Sequence, residues 1–122
     1  MCTTMKVLVT GSRDKGVNKQ YVWTTLDKYP ITCLIAGGAS GVDEYASEWA
    51  DASVVPCMTF FAPWKGMKAR GKLKAAGPIR NGWMLEHGKP DLVLAFPGGS
   101  GTRNMVMQAE KAGITVKRIT TE

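Results

Sequence analysis

The sequence predicts an α/β fold of the Rossmann-like type, in which helices cover both faces of one parallel sheet. Short β-branched segments alternate with segments of helical periodicity, which is the pattern of a strand–helix–strand chain. Several of the β-branched segments are apolar throughout, as strands buried on both faces are. The 122 residues suffice for one hydrophobic core, so we expect a single domain over residues 1–122.

Five short segments are predicted as strands. They are Lys6–Thr10, Ile31–Ala36, Ser53–Met58, Asp91–Phe96 and Ile114–Ile119. With right-handed crossovers these strands most simply form a sheet of order 3-2-1-4-5. Ligands of such sheets bind outside the carboxyl ends of the strands, where the strand order reverses. The loops after the first, second and fourth strands are therefore the predicted site.

Four helices fit between the strands, and residues with capping chemistry mark their ends. The predicted start and stop residues are Asn18, Ser40 with Asp43, Pro78, Gly88 and Gly113. Two inward-facing stripes are predicted, namely Val42, Ala46, Trp49 and Ala50 in the second helix, and Met105, Val106, Ala109 and Ala112 in the fourth.

Composition excludes several classes of function. The sequence lacks an apolar run long enough for a membrane span and lacks a signal-peptide pattern at its start, which predicts a cytoplasmic protein without a membrane partner. Three cysteines without a CxxC pair and a single histidine predict neither a disulfide framework nor a metal site. We also expect no cofactor.

The net charge of +6 is concentrated in one segment. Between Phe60 and Gly77 lie five basic residues and no acidic ones, namely Lys65, Lys68, Arg70, Lys72 and Lys74. This segment is typical either of anion binding or of a solvated loop without a partner.

Three glycine-rich loops follow the first, second and fourth predicted strands. The second and third loops lead directly into helices, whose free N–H groups and dipole favour a phosphate. Neither loop matches the Walker P-loop, and no GxGxxG follows the first strand. Tight turns without a ligand are the alternative. The predicted ligand residues are Gly11, Ser12, Arg13, Gly37, Gly38, Ala39, Ser40, Pro97, Gly98, Gly99, Ser100, Gly101 and Thr102.

The combined motifs resemble the SLOG superfamily of Rossmann-like nucleotide-binding proteins, in particular a small bacterial and phage branch. These motifs are GSRD, GGASGVD, GPIRN, DLVLAF and PGGSGT, and the resemblance spans Val7 to about Val116. The superfamily includes the Lonely Guy phosphoribohydrolases, sensors of ADP-ribose-like signals and a protein that binds single-stranded DNA. The resemblance therefore implies nucleotide recognition, and it adds Asp43 of the GGASGVD motif and Arg80 and Asn81 of the GPIRN motif to the ligand residues.

One position departs from the phosphoribohydrolase pattern PGGxGTxxE. Arg80 matches an arginine of those enzymes, but Met105 occupies the position of their catalytic glutamate, with Asn104 before it. Cleavage of an N-glycosidic bond builds positive charge on the sugar and normally needs a carboxylate. Asp43 and Glu44 are candidates for that carboxylate, with helix capping as the alternative.

Three functions remain open at the sequence level. The first is a nucleotide binder without efficient catalysis, which sequesters an ADP-ribose-like, cyclic or monophosphate nucleotide in the manner of a phage anti-defence protein. The second is a phosphoribohydrolase-type N-glycosidase. The third is single-strand nucleic-acid binding through the basic segment and neighbouring aromatics.

Four aromatic residues are either a base-stacking surface or part of the core, namely Phe60, Phe61, Trp64 and Trp83. A homodimer is expected, because the apolar side chains, including those of Met84, Leu85 and Met107, are more than one small core can bury.

Overall fold

The computed structural model describes residues 5–11, 17–38, 41–62 and 76–119. Its five strands are β1 (Lys6–Thr10), β2 (Cys33–Gly37), β3 (Cys57–Phe60), β4 (Leu92–Ala95) and β5 (Thr115–Arg118). All neighbouring strands pair in parallel, and their order is β3-β2-β1-β4-β5. The predicted Rossmann-like sheet is confirmed, and β1 and β4 lie side by side at the predicted switch point.

In the described residues, four helices cover the sheet. They are α1 (Lys19–Leu26), α2 (Val42–Ala52), α3 (Ala76–Gly88) and α4 (Ser100–Lys111). Side chains alternate along each strand, so β1 places Val7 and Val9 against α1 and α2 and places Leu8 against α3 and α4. In the described parts of the chain, no helix combines the length and the apolar character that crossing a membrane requires.

Several predicted helix and strand boundaries differ from those in the structure, because turns lie where the strands or helices were expected to begin. Asn18 caps α1 as predicted, since its side chain accepts a hydrogen bond of 2.7 Å from the N–H of Tyr21. The predicted start of β3 at Ser53 is wrong. Val54 instead adopts a left-handed conformation with φ 57°, and the strand begins only at Cys57. The start of α2 is also corrected, because its N-cap residue is Gly41 rather than Ser40.

The glycines at the helix ends have different physical roles. Gly113 follows α4 with φ 76°, as a left-handed stop residue should. Gly88 does not, because it is the last residue of α3 and Lys89 takes the positive φ of 51°. A Cβ on Gly88 would lie 2.9 Å from Cδ1 of the buried Ile35. Glycine at this position therefore allows α3 to pack closely on β2.

The inward-facing stripe of α4 is partly as predicted. Met105, Val106 and Ala109 are buried, but Ala112 is the exposed C-cap residue. Met105 is fully buried beside Leu8 and Val93. The position that carries a glutamate in the phosphoribohydrolase pattern is thus part of the hydrophobic core in this chain.

We therefore expect Met105→Glu to destabilise the protein rather than to add a working carboxylate. A buried charge without a partner costs about 3–5 kcal/mol, whereas the volume-conserving control Met105→Leu costs less than about 1.5 kcal/mol. Urea denaturation of both variants measures the two free energies of unfolding. Equal stability of the glutamate and leucine variants would show that the side chain at position 105 reaches solvent.

Candidate functional site

The carboxyl edge of the sheet brings most of the predicted ligand residues together. Gly11 follows β1 and Gly37 ends β2, while the glycine-rich turn, residues 97–102, comprises the connection after β4 and the first residues of α4. These three strands are neighbours in the order β2-β1-β4. Four of the predicted residues, Ser12, Arg13, Ala39 and Ser40, lie outside the described residues.

Gly11 is required by packing. An added Cβ would lie 2.9 Å from Cβ of Phe96 and 2.9 Å from Cγ2 of Val42. Both are atoms of buried side chains, so neither has room to move aside. The fold alone therefore explains this glycine.

Gly37 lies beneath two charged groups. A Cβ at this position would lie 2.8 Å from Cζ of Arg80 and 2.9 Å from Oδ2 of Asp43. The guanidinium of α3 and the carboxylate of α2 therefore meet above the end of β2. Asp43 is buried and Arg80 is half-buried. A glycine is needed here because any side chain would displace these groups.

Gly38 lies beneath an aromatic ring. The Phe61 ring occupies the space of a Cβ on Gly38, with Cγ at 3.1 Å from the ideal position. The N–H of Gly38 also donates a hydrogen bond of 3.2 Å to the carbonyl of Phe60. Phe61 is 70% exposed, so the alternative that it is a core residue is excluded.

Gly99 and Gly101 differ from these three glycines. Among the described residues, no atom beyond the chain neighbours and the local helix backbone lies within 4 Å of a Cβ added to either residue. Neither residue has a positive φ, and in the described parts of the three loops Gly41 alone does, with φ 84°. Neither a close contact nor a positive φ therefore explains these two glycines. A close approach by a ligand would explain them.

The N-termini of α2 and α4 have opposite charge environments. Neither N-cap residue makes a side-chain hydrogen bond to its helix. The first turn of α2 contains Asp43 and Glu44, which already interact favourably with the helix dipole. The first turn of α4 contains no acidic residue. The sequence predicted a phosphate at both turns, and this difference in charge favours α4.

A hydrogen-bond network holds Arg80 beside the N-terminus of α4. Its Nε donates to Oδ1 of Asn81 at 3.1 Å, and Asn81 is only 3% exposed. The Asn81 amide then donates to the carbonyl of Gly101 and to Oδ1 of Asn104, both at 3.2 Å. The direction of the guanidinium is thus fixed relative to the glycine-rich turn.

Two members of this network were not predicted as site residues. Gln108 donates from Nε2 to Oδ1 of Asn104 at 2.6 Å and to the carbonyl of Pro78 at 3.1 Å. The available signal was spacing, because two amide side chains four residues apart lie on the same face of a helix. The network joins the first turns of α3 to α4.

The two candidate carboxylates have different positions. Asp43 is buried at the site, whereas the Glu44 side chain is exposed. Asp43 is therefore the carboxylate that the fold brings next to Arg80. In the described part of the chain, no three His, Cys, Asp or Glu residues are grouped so that they could hold a metal ion.

The predictions about the basic segment, the aromatic residues and the dimer interface are tested only in part. The basic segment from Lys65 to Lys74, with Trp64, lies outside the described residues. Phe60 is half-buried against the core and Trp83 is 37% exposed. Of the residues expected at a dimer interface, Met107 is exposed but Met84 is a buried core residue. The homodimer itself stays a prediction.

Comparison with known proteins supports the fold. No curated protein matches the chain. Among solved structures, a Listeria monocytogenes protein described as a UDP-N-acetylglucosamine 2-epimerase superposes with a TM-score of 0.58 at 11% identity. The match covers 97% of this chain but only 32% of the other, and it shows the fold alone.

A family model identifies the chain more specifically. The description of that model is the YspA, cpYpsA-related SLOG family, and residues 5–66 match it. The matched region contains β1 to β3 and the turns after β1 and β2. The chain therefore belongs to the YspA, cpYpsA-related SLOG family.

Proposed function

We propose that this protein binds a nucleotide whose phosphate lies at the N-terminus of α4, beside Arg80. The observation that carries the proposal is the first turn of α4, which has neither a side-chain cap nor an acidic residue. Its free N–H groups and the helix dipole favour an anion. The open space at Gly99 and Gly101 lets the anion reach the backbone.

Arg80 supplies the full positive charge in this proposal. A guanidinium forms two parallel hydrogen bonds to a phosphate. Because Asn81 holds the Nε of Arg80, the side chain loses less conformational freedom when the ligand binds. Asp43 approaches the end of β2 above the same glycine, Gly37.

Membership of the SLOG family supports a nucleotide over other phosphate compounds. We propose an ADP-ribose-like, cyclic or monophosphate nucleotide, bound without efficient turnover. A protein of this kind acts by sequestration, and removal of a host nucleotide signal by a phage protein is the biological role that we propose.

Gly99→Asp should abolish nucleotide binding in a folded protein. The new carboxylate would lie where the phosphate binds, and two like charges about 4 Å apart repel by about 4 kcal/mol at an effective dielectric constant of 20. This corresponds to a loss of about 10²- to 10³-fold in affinity. Isothermal titration with AMP and with ADP-ribose measures the loss. Gly38→Asp is less suitable, since Phe61 occupies the space.

Gly99→Asn is the matched control, because asparagine has nearly the same size without the charge. It should retain most of the affinity, and urea denaturation should show that both variants are folded. Equal losses in the two variants would contradict an electrostatic phosphate site. Undiminished binding by the aspartate variant would remove the α4 turn from the site.

A second candidate function is N-glycosidic cleavage, and the position of Asp43 favours it. This buried carboxylate lies beside Arg80 at the carboxyl edge of the sheet. A carboxylate there can stabilise positive charge on a ribose or activate a water molecule. Glu44, which is exposed, is less suited to this role.

The two functions differ in product formation. If binding without turnover is correct, the wild-type protein binds nucleoside monophosphates and releases no free base over hours, as liquid chromatography measures. Base release that falls about 10²- to 10⁴-fold in Asp43→Asn and remains in Glu44→Gln would overturn the first function. Such a result would assign catalysis to Asp43.

A further inference from the structure

A second cavity adjoins the proposed phosphate site on the side of β5. Its volume is 240 Å³, and it lies between the ends of β4 and β5 and the first turns of α4. Gly98 and Thr102 of the glycine-rich turn are part of its lining. The cavity therefore reaches the same turn at which the phosphate is proposed to bind.

The cavity has an apolar interior and a cationic rim. Phe96, Val106 and Ile119 line it together with two arginines, Arg103 and Arg118. Phe96 and Val106 are buried, whereas both arginines are exposed. This is the combination that a flat ring needs, because the apolar walls contact its edges and a guanidinium stacks on its face.

The arginines are available for such a contact. Among the described residues, the Arg103 side chain has no hydrogen-bond or ion-pair partner. Arg118 has a single acidic neighbour, with Nη2 at 3.9 Å from Oε1 of Glu110. Both side chains of that pair are more than half exposed, so the pair contributes little and is easily replaced.

The volume decides which part of a ligand fits. Sites that enclose a whole drug-sized ligand measure about 300–1,000 Å³, so a cavity of 240 Å³ holds one ring system rather than an entire nucleotide. The alternative ring site is Phe61, which is 70% exposed and offers one face only. A base in the cavity would lose more contact with water than a base stacked on Phe61.

We propose that this cavity is the nucleobase pocket, which binds the base of a nucleotide whose phosphate lies at the N-terminus of α4. The inference rests on the proposed function and extends it from the phosphate to the base. It identifies Arg103 as the residue that stacks on the base.

The test compares ligands with and without a base. Titration of the wild-type protein with AMP, GMP, CMP, UMP and ribose 5-phosphate should show at least one nucleotide binding about tenfold or more tightly than ribose 5-phosphate, which is a typical contribution of one stacked base. Arg103→Lys keeps the charge but removes the planar group, so it should lose most of this preference and keep the affinity for ribose 5-phosphate.

Two further variants distinguish the cavity from Phe61. Ile119→Trp places a ring in the cavity and should also remove the preference, whereas Phe61→Ala should retain it. A preference that survives both Arg103→Lys and Ile119→Trp, or that disappears in Phe61→Ala, would overturn the base pocket. Thermal denaturation should show that each variant is folded.

Failure of the base pocket and failure of the proposed function give different results. If all five ligands bind the wild-type protein equally, the phosphate site remains and the base pocket is wrong. If none of them binds, and ADP-ribose and cyclic AMP do not bind either, the nucleotide function itself is wrong, and the base pocket with it.

Discussion

The site depends on one constraint, which is the buried amide of Asn81 between α3 and α4. This side chain accepts from Arg80 and donates to the carbonyl of Gly101, so the cation and the glycine-rich turn have a fixed spacing. A buried amide without these partners would cost about 1–3 kcal/mol. The same hydrogen bonds therefore determine the packing of the two helices and the geometry of the site. Asn104 and Gln108 continue this hydrogen-bond network along α4.

The distribution of charge along the carboxyl edge separates two kinds of helix N-terminus. Asp43 and Glu44 occupy the first turn of α2, whereas α4 begins without acidic residues. Arg80 and Asp43 both approach the end of β2 above Gly37. In the proposed phosphate site, the carboxylate of Asp43 would reduce the general attraction of polyanions to Arg80.

The strand order could be predicted from the sequence because strand order follows general rules, namely right-handed crossovers and fully apolar buried strands. It failed where a local choice depends on a distant neighbour. Gly88 resembles a left-handed stop residue in sequence, but Ile35 on another strand determines its role. In the same way, Phe96 and Val42 leave no room for a Cβ at Gly11, whereas no described residue packs against the Cβ position of Gly99. Only the structure distinguishes a packing glycine from an open one, and the open ones carry the argument for a ligand.

The same charges bear on catalysis. Cleavage of an N-glycosidic bond builds positive charge on the ribose, and a site accelerates only what it stabilises more in the transition state than in the ground state. Arg80 and the N-terminus of α4 favour negative charge, so in the proposed site they would stabilise a substrate phosphate before and after reaction alike. Asp43 and Arg80 both approach the end of β2 above Gly37, so the positive charge of Arg80 opposes the negative potential that Asp43 would present to a sugar. The position that carries a glutamate in the phosphoribohydrolase pattern is Met105, within the core. A mutation of that single residue would place a carboxylate among apolar side chains rather than beside the ribose. A carboxylate at the neighbouring position, in place of Asn104, would interrupt the amide network that holds Arg80.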